Sequence, residues 1–199
     1  MKRTLLLAAV LTASVLISKA QTKGTNAIGF GIQSQKQESE QNGTSSTVQK
    51  TNNYSLSYGN FIKDNAKIEL TFGYGKSEQD SYGEQNSYYG SVAYQKYYPL
   101  LKRFYAFAGG RASYQHGKYE NRQSDAVVSK SNGYGIGAYG GAAYFLSKRF
   151  AFETTLLSAD FFYGKNVYSA SNVKQTNTSL DISSTGVIND LTFKIYFLF

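Results

Sequence analysis

The last nine residues, Leu191-Thr192-Phe193-Lys194-Ile195-Tyr196-Phe197-Leu198-Phe199, place an apolar side chain at every odd position. A period of two separates side chains onto opposite faces of a strand, so this segment is predicted to be a strand with one face in an apolar medium. The same parity recurs from Thr25 onwards in about eight segments. The first sets Ile28, Phe30 and Ile32 against Ala27, Gly29, Gly31 and Gln33. The second, 53–61, sets Tyr54, Leu56 and Tyr58 against Ser55, Ser57 and Gly59, and the third sets Ile68, Leu70, Phe72 and Tyr74 against Glu69, Thr71, Gly73 and Gly75.

Four further segments have less regular edges. The fourth, 87–98, opposes Val92 and Tyr94 to Ser91, Ala93 and Gln95, leaves Lys96 on the apolar parity to snorkel, and ends at Pro99, the only proline. A fifth from Phe104 turns Ala106, Ala108 and Ala112 away from Tyr105, Phe107, Arg111 and Ser113. The sixth, 134–146, opposes Ile136, Ala138, Ala142, Tyr144 and Leu146 to Gly135, Gly137, Tyr139 and Gly141. In the seventh, 150–163, Asp160 breaks the parity of Phe150, Phe152 and Leu156, and a bulge near Leu157 to Ala159 is needed to reset the phase.

The connections alternate in length. Residues 63–67, 99–103 and 147–149 are short and basic, whereas 34–50, 76–86, 117–132 and 164–186 are long and rich in Ser, Asn, Gln, Thr and Gly. Short periplasmic turns alternating with long external loops characterise an up-and-down barrel of the outer membrane with both termini periplasmic. The expected fold is therefore all-β: a transmembrane, eight-stranded, antiparallel up-and-down β-barrel. A soluble lipocalin-like barrel would bury its large apolar residues inside. Here the minority parity carries Gly, Ser, Thr, Gln and isolated charges, which suits a narrow polar lumen.

The N-terminus adds an address. Lys2 and Arg3 precede an apolar run from Leu5 to Ile17, and Ser18-Lys19-Ala20 supplies small residues for a signal peptidase. Residues 1–20 are thus expected to be a signal peptide, cleaved between Ala20 and Gln21, with 21–199 forming one barrel domain. The run is too short for the roughly 20 residues of a spanning helix. With no Cys, lipoprotein anchoring and thiol chemistry are excluded.

Composition agrees with this reading. Without the leader, 18 basic residues face 13 acidic ones, while 18 Tyr, 13 Phe and 19 Gly with no Trp fit a β protein. The basic excess gathers at turns of an exported chain, so nucleic acid is not an expected partner.

Signal peptide, eight strands, loop alternation and terminal Phe together resemble the small outer-membrane β-barrel family that includes OmpX and the OmpA membrane domain. The resemblance lies in pattern over the mature chain. It implies that Leu191, Phe193, Ile195, Phe197 and Phe199 form the signal read by the barrel-assembly machinery, with Tyr196 on the other face mattering less. It implies as partners outer-membrane lipid and that machinery, and a monomer; no residue identifies a ligand of the loops.

Candidate chemistry is sparse. Glu69, Arg111, Glu153 and Lys194 share the inward parity, two of each sign. They are expected either to lock a closed lumen or to gate a narrow porin for small polar solutes, with Glu69 and Glu153 pairing Arg111 and Lys194. His116, the only histidine, lies at the rim with Ser124 and Asp125 nearby in sequence, as a rim enzyme would require, but nothing fixes a partner for it. Gly133, Gly135 and Gly137 share one strand face, so they do not make a phosphate-binding turn. Metal-ligand spacing is absent, no cofactor is expected, and the protein is read as a non-enzyme with a structural or surface-interaction role.

Overall fold

The computed structural model describes residues 21–40, 46–79, 83–120, 127–169, 173–184 and 191–199. The leader, including Ala20, lies outside the described residues, as do Ser124 and Asp125. The described chain is all β. Strands β1 (Asn26–Glu40), β2 (Ser46–Lys63), β3 (Ala66–Gln79), β4 (Gly83–Pro99), β5 (Phe104–Glu120), β6 (Val127–Phe145) and β7 (Phe150–Tyr168) pair in sequence order, each antiparallel to the next.

The eighth stave is divided. β8 (Lys174–Ser184) pairs β7 from Leu157 to Val167, whereas β9 (Leu191–Leu198) pairs β7 from Phe150 to Thr154 and closes the ring on β1. Between Thr154 and Leu157, β7 advances three residues while its partner runs nine, from Phe193 back to Ser184. The barrel therefore has eight staves built from nine strands. Described pairing of β8 is to β7 alone, and residues 173–183 are exposed on both parities.

Two expectations are corrected here. The segments expected to be long loops are mostly strand: the described strands have 14 to 19 residues in β1 to β7, so 76–79, 83–86, 117–120 and 127–132 continue the hairpins. Their alternation is of polar with polar residues, and hydrogen-bonded ladders need no apolar contrast to form. The bulge on β7 is real but sits at Leu156, skipped between Gly141↔Thr155 and Gly140↔Leu157. It turns Asp160 inward.

At the opposite end the turns are tight. Asp64 and Asn65 form the two-residue connection between Lys63 and Ala66, next to a register shift between Phe61 and Lys63, and Asn65 takes φ 60°, a left-handed conformation that Asn tolerates. Residues 21–25 cross beneath this end: Gly24 N–H donates to the Phe61 carbonyl at 2.7 Å, and Lys23 N–H to Asp64 Oδ1 at 2.8 Å.

The outer surface is an apolar belt between two aromatic girdles. Register aligns Tyr54, Tyr74 and Tyr88 on one side of the hairpin end, and Tyr114, Tyr134 and Tyr163 on the other. Tyr98, Phe104, Tyr144, Phe150, Phe197 and Phe199 surround the turn end. Ile28, Phe30, Leu56, Leu70, Phe72, Val92 and Ile136 fill the space between and are exposed. Tyr88 and Tyr98 stand ten residues apart on β4, about 33 Å along a strand. Tilted by about 40°, this becomes about 25 Å, the height of the apolar band of a membrane barrel. Lys96 lies in the lower girdle, with its ammonium 5.4 Å from the Tyr98 ring centroid.

Candidate functional site: a closed floor beneath a polar cavity

The inward parity builds the lumen in layers. At the turn end, Ala27 (β1), Phe61 (β2), Tyr97 (β4), Phe107 (β5), Ala143 and Phe145 (β6), Ala151 (β7), and Tyr196 and Leu198 (β9) form one buried cluster. Tyr97 stacks on Phe61 at 5.7 Å and meets Phe107 and Phe145 edge-on at 6.1 Å each. The lumen thus has an aromatic floor at the turn end, where the expectation was of a narrow polar lumen throughout. Parity placed these side chains inside; it did not reveal that they meet across the barrel.

A charged layer rests on that floor. Lys67 (β3) lies between two carboxylates, 2.7 Å from Glu69 Oε2 and 3.4 Å from Glu153 Oε1. Lys194 (β9) holds the other oxygen of Glu69 at 2.7 Å and also donates to Ser57 at 3.2 Å. Tyr196 O–H donates to Glu69 Oε2 at 2.7 Å, Tyr97 O–H donates to Glu153, and Gln95 Nε2 donates to Glu153 Oε2 at 3.0 Å. Lys67 also sits 3.9 Å from the Tyr196 ring centroid. Two cations and two anions balance, and each carboxylate gains neutral donors as well as cations. Only such full satisfaction makes buried charge tolerable, because the attraction alone does not repay desolvation.

Of the four inward charges expected, Lys194 meets Glu69, but Arg111 does not pair with either glutamate. Its partner is Asp160: Nε donates to Oδ1 at 2.8 Å and Nη2 to Oδ2 at 2.5 Å, a bidentate fork. The Leu156 bulge brings Asp160 to this face, and Gly137 leaves it room, since a Cβ there would lie 2.0 Å from Asp160 Oδ1. Lys67 was assigned to a basic turn, yet it is the most buried cation of the layer. Its parity with Glu69, two residues on, was the signal that could have found it.

Above the charged layer is a cavity of about 220 Å³, lined by Gln33, Asn53, Ser55, Tyr89, Ser91, Arg111, Tyr139 and Thr155 among others, with Lys194 and Glu153 at its base. It is polar and, through the aromatic floor, closed at the turn end. His116 lies outside it, on the outward parity beside the upper girdle, with Nδ1 2.9 Å from Asn132 Oδ1. Among the described residues no cluster of His, Cys, Asp or Glu could hold a metal ion. Phe193, Ile195, Phe197 and Phe199 point outward and exposed from the closing strand, and Leu191 pairs Ser34 at its start.

An antiparallel up-and-down ring with its apolar face outside and its charges inside defines the architecture of an outer-membrane-type β-barrel. Solved structures with this fold include neisserial surface protein A, at TM-score 0.52 and 13% identity over 89% of this chain and 98% of that one. The outer membrane protein OprG from Pseudomonas aeruginosa matches at TM-score 0.51 and 13% identity, over 90% of this chain and 97% of that one. The translocator domain of the autotransporter NalP from Neisseria meningitidis matches at 0.50 and 9%, over 99% and 94%. No protein-family profile matches the sequence, and no curated protein matches it.

Proposed function

We propose that this chain is exported by residues 1–20, cleaved before Gln21, and inserted as a monomeric barrel in the bacterial outer membrane, with both termini and the tight turns on the periplasmic side. Its role is structural and surface-interactive: a rigid, non-conducting stave ring that carries polar β-hairpins outside the cell. The observation that carries this reading is the floor, where Phe61, Tyr97, Phe107 and Phe145 fill the lumen beneath a fully paired charge layer. The solved structures sharing its fold are outer-membrane barrels, which supports the location. Insertion into planar bilayers tests the role, with no resolved single-channel steps as the expected result. Steady channel openings from the wild-type protein would overturn it.

A narrow porin is the second reading, favoured by the polar cavity that Arg111 and Lys194 line. It requires Lys67 and Lys194 to exchange carboxylate partners and the aromatic floor to part. Phe197 and Phe199, outward on the last strand, serve in our reading as the signal taken up by the assembly machinery. Folded yield in cells after Phe197→Ser and Phe199→Ser tests this, and an unchanged yield would refute it.

A further inference from the structure

We infer that Gln21 is a modification site: once exposed as the first residue, it is closed to pyroglutamate. This rests on the proposed cleavage before Gln21. The residue is not a free tail. Its carbonyl accepts the Asn65 N–H at 3.0 Å, Thr25 N–H closes back on the Thr22 carbonyl at 3.1 Å, and the Phe61 N–H donates to Thr25 at 2.8 Å, so 21–25 is laid across the turn end of the barrel. With residues 1–20 attached Gln21 is only 6% exposed, and both polar atoms of its side chain, Nε2 and Oε1, are buried without a hydrogen-bond partner among the described residues. An amide placed so is an anomaly, since buried polar groups are ordinarily satisfied.

Cleavage adds a charge beside this unpartnered amide, because it converts the Gln21 nitrogen to an α-ammonium. Cyclisation removes that charge and the Nε2 amino group, and keeps Oε1 as the lactam carbonyl. The neutral α-amine attacks the side-chain Cδ; the N–Cδ bond forms and the Cδ–Nε2 bond breaks. The departing nitrogen takes the proton lost by the amine and leaves as ammonia. No oxidant or metal is consumed. The product is an uncharged five-membered lactam that has lost the unpartnered NH2 group, while the carbonyl held by Asn65 is untouched. Asn at this position could not form that ring, and neither could Thr22 if cleavage fell one residue later.

The test is the mass and sequencing of the N-terminal chymotryptic peptide, Gln21 to Phe30, from mature protein purified out of the cells that make it. A synthetic peptide of the same sequence is carried through identical handling. The expected result is a peptide lighter than its sequence by one ammonia, blocked to Edman degradation until treated with pyroglutamyl peptidase, while the synthetic control stays mostly open. A peptide that begins at Gln21 with its full mass overturns the modification and leaves the cleavage reading standing. Equal closure in protein and control also overturns it, as a product of handling. A different first residue overturns the cleavage reading and this inference together.

Discussion

The two ends of the lumen obey opposite rules although the same strands build both. At the turn end, side chains from β1 to β7 and β9 converge: Tyr97 and Tyr196 are almost wholly buried, and every charge has a partner. At the hairpin end the staves continue past the girdle, and β8 exposes both faces. In a ring of eight strands the interior is just wide enough for side chains to fill. Large aromatic residues fill the lower half of this ring, whereas above the charged layer polar side chains line a cavity, so stability concentrates below and accessible surface above. The division of the eighth stave at the level of Thr154 to Leu157 marks the boundary.

If the lower end is the stable one, its central cation should matter most. Lys67→Met leaves Glu153 buried without a cation, while Glu69 keeps Lys194. The expected loss is about 3 to 5 kcal/mol. The double variant Lys67→Met/Glu153→Gln should recover most of it. Urea unfolding in lipid vesicles, followed by gel mobility because the chain has no Trp, measures both. A single variant as stable as wild type would show that this layer is hydrated and that the contrast between the ends is false.

Arg111→Met tests the boundary layer and should cost less, about 1 to 3 kcal/mol, since the guanidinium is about one third exposed where it faces the cavity. Arg111→Met/Asp160→Asn should be milder than the single change in the same assay. Conductance of this variant should stay at zero if the floor closes the lumen, and new channel steps would place the constriction at Arg111 instead.

Tyr196→Phe sharpens the reading of the closing strand. It removes one hydrogen bond to Glu69 and keeps the ring under Lys67, for an expected loss of about 1.5 kcal/mol. Sequence pattern ranked Tyr196 below its aromatic neighbours for assembly, whereas its buried bond to Glu69 predicts a separate effect on stability. Phe197→Ser and Phe199→Ser should act on folded yield in cells, whereas Tyr196→Phe should act on the unfolding midpoint of protein already folded. Ser183→Ala in β8 should have the smallest effect, within about 0.5 kcal/mol, because its bond to Ser158 is exposed. A loss as large as that of Tyr196→Phe would mean that β8 is packed in the native state and not splayed.

Period-two parity sufficed for the stave count, for the outward set from Ile28 to Phe199, and for the inward placement of Glu69, Arg111, Glu153 and Lys194. It did so because the two faces of such a strand meet different media, and each side chain records which medium it meets. Parity was silent where both faces meet water, and the polar hairpins were therefore read as loops. It also could not say which inward groups touch. That depends on the register of strands far apart in the chain and on the diameter of the closed ring, which together set Lys67 between Glu69 and Glu153. One skipped residue, Leu156, shows how much register decides: the extra step reverses every side chain after it, turns Asp160 from the outer surface to the lumen, and gives Arg111 a partner that no local pattern could assign.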